Sequence, residues 1–332
     1  MNNIEKTFRT GILGVGKYLP ERRLTNADLE KMIDTTDEWI VTRTGIKERR
    51  IARDDEAASD MAVKAAQVAL KNAGLEAKDI ELIIVATITP DMFFPSTACQ
   101  LQYKLGITGV PAFDISVACS GYVYGLAIAD QFIKSGLYKY ALVVASEKLS
   151  TVTDWDDRST CVLFGDGSGA AVLGRVDDGG IMAVSLGADG SKGNLLQLPA
   201  GGSRMPASKK TVEDKQHTIK MEGNVLFKHA VKIMAEAALD VTAKLGLKGE
   251  DIDIIIPHQA NIRILNALAQ RMGVDPDKKV YLNIYKYGNM SAASSAVALT
   301  EAVEEGRIKK GDTILMDAFG GGLTWGALVI KW

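Results

Sequence analysis

LKNAGLEAKDIELIIVAT, residues 70–87, and TAKLGLKGEDIDIIIPHQ, residues 242–259, follow one template. In both, a helical run closes on a glycine, an acidic turn follows, and the chain enters a short apolar strand. At a constant offset of 172 residues Gly74 falls on Gly246, Asp79 on Asp251 and Ile80 on Ile252. A second pair matches at an offset of 170: FDISVACSGYVYGLAIADQFIKSG (113–136) falls on NIYKYGNMSAASSAVALTEAVEEG (283–306), with Gly136 on Gly306. Each half therefore reads helix, strand, loop, strand, helix. Internal duplication is the simplest account; the alternative is chance likeness between two generic strand–helix units. The expectation is two similar α/β halves, 1–178 and 179–332.

The rest of the chain fits that frame. LIIVAT (82–87), YALVVAS (140–146), DIIIP (253–257) and TILMDAF (313–319) read as buried strands, and SDMAVKAAQVALKNAG (59–74) reads as a helix with Gly74 just past its end. Strands alternating with helices indicate an α/β fold. FGDGSGAAVLG (164–174) reads as a tight turn with close packing between layers.

The duplication also aligns candidate chemistry. Cys119 falls on Asn289, and His258 falls on Ala86, at the end of the matching strand. In open α/β sheets ligands sit beyond the carboxyl ends of strands. Cys119, His258 and Asn289 all lie at such ends. A thiol at the start of a helix feels the positive end of the dipole, which favours the nucleophilic thiolate. Each residue also has a plain reading: cysteine packs well in cores, histidine can be buried and satisfied, and asparagine suits a cap or turn. Cys99 and Cys161 sit in apolar, small-residue settings and read as core. His217 lies in a polar stretch, and His229 lies within a helix. The glycine run of FGGGLTWGALVI (319–330) lets backbone N–H groups approach a ligand closely. Such donors suit an oxyanion beside Cys119; no phosphate-binding pattern is present there.

Composition removes several function classes. The chain has 332 residues, 47% hydrophobic and 24% charged, with a net charge of −2. That balance suits a globular protein with a large core and offers no basic surface for nucleic acid. The three cysteines form no CxxC pair and no even framework, which points to a reducing cytosol without disulfides or a thiolate metal site. No apolar run reaches the roughly 18 residues of a membrane span. The first 20 residues lack a continuous apolar segment and include Glu5, so they do not read as a secretion signal.

At this point the motifs carry a family likeness. TNADLEKMIDTTDEWIVTRTGIKERR (25–50), CSG (119–121), DRSTCVLFGDGSGAAVL (157–173), PHQANIRI (257–264), YGNMSAAS (287–294) and AFGGGLTWG (318–326) occur in order with suitable spacing. Across essentially its whole length the chain resembles a β-ketoacyl-acyl carrier protein synthase III, the initiating condensing enzyme of the thiolase superfamily. The resemblance implies a thiolase-like five-layered αβαβα fold of two duplicated halves, and a cytoplasmic homodimer.

It also implies site roles. Cys119 is the acyl-accepting nucleophile, with His258 and Asn289 completing a triad. The N–H groups of Cys119 and Gly321 form the oxyanion hole. Acyl-coenzyme A acylates Cys119; malonyl-acyl carrier protein then loses carbon dioxide while His258 and Asn289 hold its thioester carbonyl. Trp39 and Arg158 resemble the family's adenine clamp, Thr35 and Arg43 its adenine and phosphate contacts, and Asn261 a contact to the pantetheine arm. Lys228, Lys232, Arg263 and Arg271 form a candidate basic patch for the acidic carrier protein, or a plain solvated face. Phe94 resembles a residue that crosses the dimer to floor the partner's acyl pocket. Ser120 and Tyr122 stand where Ala and Phe also occur in the family. Elongating relatives use two histidines and thiolases a second cysteine; this chain matches neither pattern. No metal or cofactor is implied, since the coenzyme A thioester is a substrate. The competing functions are condensation in a secondary pathway on the same fold, and a non-catalytic acyl- or carrier-binding module.

Overall fold

The computed structural model describes residues 8–332, so Glu5 lies outside the described residues. The strands are β1 (Arg9–Tyr18), β2 (Arg22–Thr25), β3 (Glu48–Ile51), β4 (Leu82–Ala86), β5 (Ala112–Ile115), β6 (Tyr140–Lys148), β7 (Asp166–Val176), β8 (Gly180–Ala188), β9 (Leu196–Gln197), β10 (Lys220–Met221), β11 (Ile254–Pro257), β12 (Thr313–Gly320) and β13 (Thr324–Lys331). Helices of eight residues or more are α1 (Asp37–Thr44), α2 (Ala58–Ala73), α3 (Thr97–Lys104), α4 (Gly121–Lys134), α5 (Gly223–Ala243), α6 (Ile262–Met272) and α7 (Ala293–Glu304). The four strands read from the sequence, and the helix ending before Gly74, form as expected.

Two sheets carry the duplication. One has the order β1-β7-β6-β4-β5 and the other β11-β12-β13-β8. Thus β1, β7, β6 and β4 correspond to β8, β13, β12 and β11. Directions agree as well: β4 and β6 are parallel, as are β11 and β12, while the other corresponding pairs are antiparallel. Gly74 and Gly246 occupy the same left-handed conformation, at φ 67° and 69°, where a side chain would be strained.

Strand β5 breaks the symmetry. The sequence alignment expects its counterpart at 282–285, but Ile284–Tyr287 form a single helical turn, and pairing shrinks to a bridge between Ile255 and Val280. The cause is a polar network. Gln259 Oε1 accepts the N–H groups of Asn283 and Ile284 at 3.1 and 3.2 Å, and Glu301 accepts from Asn283 and Tyr287 at 2.9 and 2.8 Å. These bonds take over backbone and side-chain groups that a strand would present differently.

The layers follow from which faces are apolar. Helix α2 covers one face of the first sheet with Ala62, Ala65, Ala66 and Ala69, the spacing of a helical stripe. Helices α5 and α6 cover the far face of the second sheet. Between the sheets lie α4 and α7, whose residues join strands of both sheets in one core. A helix in that position meets protein all round, and α7 is buried without a break from Ala293 to Ala302. Its small residues allow this. The stretch 164–174 is mostly strand β7 rather than a turn, but close packing is its role: a Cβ at Gly169 would fall 2.5 Å from the Ala296 Cβ. The result is the five-layered αβαβα arrangement. No helix among the described residues is long and apolar enough to cross a membrane.

Candidate active site

The middle layer aims the starts of α4 and α7 at one place. After β5 the chain makes a single tight helical turn, Ala118–Ser120, and runs straight into α4. Ala118 is left-handed at φ 45°, and its counterpart by the 170-residue offset, Gly288, is left-handed at φ 66°. Each half therefore passes through a positive φ just before its site residue, with Gly288 at an extended ψ of −158°. For alanine this costs about 1 kcal/mol. Gly320 supports the turn from outside, since a Cβ there would lie 2.6 Å from the Cys119 nitrogen.

Cys119, His258 and Asn289 come together as walls of one cavity of about 300 Å³. All three are buried. His258 leaves β11 with its N–H bonded to the Asp317 carbonyl at 2.7 Å, and its Nδ1 has no partner. Asn289 is pinned by backbone bonds to Leu163 and Gly165, and its Oδ1 accepts the Ser291 N–H at 2.8 Å. The turn role read from sequence is thus real. It occupies the amide oxygen and leaves the Nδ2 donor for the cavity.

Burial dominates the electrostatics. It pushes the Cys119 thiol up to about 12, with the Glu147 carboxyl adding to the rise and the Ser291 hydroxyl opposing it. It pushes the His258 imidazole down to about 3. The sequence reading expects the helix dipole to lower the thiol's pKa. A helix end contributes at most about 2 kcal/mol, near 1.5 pKa units, so it does not reverse a shift that starts from 9.0. Burial thus favours a neutral thiol and a neutral imidazole at rest.

At the mouth, Trp39, Arg43, Asn261 and Arg263 join the lining. The guanidinium carbons of Arg43 and Arg158 lie 4.4 and 4.8 Å from the Trp39 ring centroid. Arg158 is held by the Asp34 carbonyl at 2.8 Å, and Thr35 Oγ1 is buried without a partner. Asn261 uses both ends of its amide: Oδ1 caps α6 through the Arg263 N–H, and Nδ2 donates to the Arg43 carbonyl at 2.8 Å. Lys228 and Lys232 on α5, and Arg263 and Arg271 on α6, are all exposed on neighbouring helices. Lys232 faces Glu236 at 3.8 Å, and Arg263 stacks over Phe227 at 5.0 Å. The Cys119 N–H faces its own sulfur. Gly320 lines the cavity, while Gly321 packs against Leu196. Phe94 does not line the cavity of its own chain; it is 85% exposed beside Phe93 at 82%.

Comparison with known proteins shows the family. Residues 113–190 match the family model for 3-oxoacyl-[acyl-carrier-protein (ACP)] synthase III, and residues 242–332 match the model of its C-terminal part. The β-ketoacyl-[acyl-carrier-protein] synthase III of Caldanaerobacter subterraneus is 60% identical over 97% of both chains. The chain belongs to the β-ketoacyl-[acyl-carrier-protein] synthase III family. The Clostridioides difficile family member is 57% identical over 98% of both chains. The crystal structure of the Aquifex aeolicus 3-oxoacyl-[acyl-carrier-protein] synthase III superposes with a TM-score of 0.90 at 52% identity, covering 97% of this chain and 100% of that one. The priming β-ketosynthase of the R1128 polyketide pathway gives 0.92 at 36% identity, covering 99% and 98%.

Sequence reasoning missed several residues of this synthase-family site. Phe227, Ala230 and Met234 of α5 line the cavity, as do Leu196 and Met221 of the β9–β10 pair. Their apolar character alone did not separate them from core. Ser291 and Glu147 beside Cys119 were also missed. For Glu147 a signal existed: it continues the alternation of Val143 and Ala145 into the middle layer.

Proposed function

We propose that Cys119, His258 and Asn289 carry out the family's two half-reactions: transfer of an acyl group from acyl-coenzyme A to Cys119, then condensation with malonyl-acyl carrier protein. The product is a β-ketoacyl-acyl carrier protein, and the step initiates fatty acid synthesis. The observation that carries the residue assignment is the convergence of the three groups on one cavity. Cys119 Sγ attacks the acyl thioester, and the N–H groups of Cys119 and Gly321 receive the oxyanion. The free Asn289 Nδ2 and a neutral His258 N–H donate to the malonyl thioester oxygen. Loss of carbon dioxide leaves enolate charge on that oxygen, where fixed donors in a dry cavity act most strongly. The carbanion then attacks the acyl-Cys119 carbonyl. This chemistry needs no resident metal or cofactor. Incubation with acyl-coenzyme A and malonyl-acyl carrier protein tests the assignment: the product should form with the native chain and fail to form when Cys119 is alkylated beforehand.

The Trp39–Arg158 stack is the proposed adenine site. The guanidinium carbon lies 4.8 Å from the indole centroid, so the two groups part to admit a base between them. Thr35 adds a buried hydroxyl without a partner, Arg43 the phosphate contact, and Asn261 the wall of the pantetheine path. We read the enzyme as a cytoplasmic homodimer. Three unpaired cysteines suit a reducing compartment, and the exposed Met92, Phe93 and Phe94 suit burial by a second copy, with Phe94 reaching the partner's acyl pocket.

Arg263, Lys228, Lys232 and Arg271 are the proposed carrier-protein patch. Arg263 stands at the cavity mouth with its head exposed, so charge reversal acts on docking rather than chemistry. Arg263→Glu is expected to lower activity with malonyl-acyl carrier protein about tenfold, roughly 1.4 kcal/mol. Acylation by acyl-coenzyme A should change far less. Equal losses in both half-reactions, at unchanged thermal stability, would assign Arg263 to the shared substrate path instead.

A further inference from the structure

Two buried groups beside Cys119 have no part in the reaction as described. Alternation along β6 turns Ala141, Val143 and Ala145 into the middle layer. Glu147 follows in the same parity at the strand's carboxyl end, where α4 and α7 begin. It is fully buried. Its Oε2 accepts from the Thr87 hydroxyl at 3.2 Å, the Ile88 N–H at 3.1 Å and the Thr89 hydroxyl at 2.8 Å. Its Oε1 has no partner. Ser291 neighbours both this carboxyl and the sulfur. Its buried hydroxyl acts on both the Cys119 thiol and the Glu147 carboxyl and has no committed hydrogen-bond partner. The backbone holds it there in a left-handed conformation, φ 48°, with its N–H committed to Asn289. Three donors on one carboxyl oxygen fix the acid's orientation and leave the other oxygen for a proton.

We propose that Ser291 and Glu147 form a proton store for Cys119, taking the thiol proton during acylation and returning it after condensation. In the first half-reaction the S–H bond breaks, Ser291 accepts that proton, and its own passes to Glu147, where an O–H bond forms. The sulfur electron pair makes the new C–S bond. The C–S bond to coenzyme A breaks, and the departing thiolate takes a proton from solvent. In the second half-reaction the carbanion attacks acyl-Cys119, the C–S electron pair returns to sulfur, and the proton comes back through Ser291. One proton is taken up per turnover, which balances the carboxylate lost as carbon dioxide.

Burial supports this division of labour. It holds His258 down to about 3, a poor proton acceptor, and Glu147 up to about 7. Cys119 is the titratable group that faces Glu147 from the turn before α4. The turn after β4 faces it with Thr87, Ile88 and Thr89, and the turn before α7 with Ser291, all uncharged.

The inference rests on Cys119 being the acyl acceptor. Its test is the rate of Cys119 acylation by acetyl- and butyryl-coenzyme A, followed by rapid quench and mass spectrometry over a pH series centred on 7. Below about pH 7 Glu147 is protonated and accepts nothing, so the native rate should fall as pH falls through that value. Glu147→Gln should lose this limb and react about tenfold or more slowly above it. Ser291→Ala should do the same, and Glu147→Asp should restore part of the rate. Glu147→Gln removes a buried charge, so it should melt no lower than the native chain above pH 7. A native-like limb in Glu147→Gln, or a native rate in Ser291→Ala, overturns the proton store and leaves the role of Cys119 intact. Absence of any acyl adduct on native Cys119 overturns the site assignment itself.

Discussion

Cys119→Ala is expected to lose condensation by about 10⁴-fold or more while still releasing carbon dioxide from malonyl-acyl carrier protein. Two features make the effects separable. The sulfur is the acyl acceptor, and alanine offers no covalent alternative. The donors that stabilise the enolate sit elsewhere: His258 follows β11, and Asn289 precedes α7, pinned by Leu163, Gly165 and Ser291. None of those contacts involves the Cys119 side chain. Removing one sulfur from a buried site costs roughly 1 kcal/mol of packing, so the variant should stay folded. Carbon dioxide release and product formation, measured on one preparation, decide the matter. A folded variant that loses both activities contradicts the separation of nucleophile from donors.

His258→Ala is expected to slow decarboxylation and condensation by about 10²- to 10³-fold, the usual loss when one preorganised oxyanion donor is removed. Acylation of Cys119 should survive much better. The reason is electrostatic. Burial keeps the imidazole neutral, with its pKa near 3, and the thiol protonated, with its pKa near 12, so no ion pair couples them at rest. Alkylation of Cys119 against pH checks the premise. In the native chain the rate should still be rising well above neutral pH, and the profile should not move upward in the variant. A native profile already flat near neutrality, shifted up by several units in His258→Ala, would establish a thiolate–imidazolium pair instead.

Both expectations use features that the sequence exposes to different degrees. The duplication was legible because it is written in helix ends and apolar strands: Gly74 with Gly246, LIIVAT with DIIIP. Strand topology follows from such local patterns once the halves are aligned. The meeting of Cys119, His258 and Asn289 at one cavity was legible because Cys119 and Asn289 are equivalent positions and His258 ends a matched strand. The counterpart of β5 was not legible. Gln259 and Glu301, far apart in sequence, convert it to a helical turn through buried hydrogen bonds. The upward push of burial on Cys119 was not legible for a related reason. Helix position can be inferred from local residues, whereas desolvation depends on everything that packs around the sulfur. Glu147 was hidden in an otherwise apolar strand, and only the meeting of β6 with the starts of α4 and α7 gives it a neighbour in Cys119.

The central claim is that Cys119 carries the acyl group through the catalytic cycle. Intact-mass spectrometry after exposure to a panel of acyl-coenzyme A thioesters tests it most directly, with peptide mapping to locate the adduct. One acyl mass per chain is predicted, confined to the peptide containing Cys119, absent in Cys119→Ala, and discharged when malonyl-acyl carrier protein is added. A stable adduct on Cys99 or Cys161, or product formation by a chain that never gains acyl mass, would contradict it.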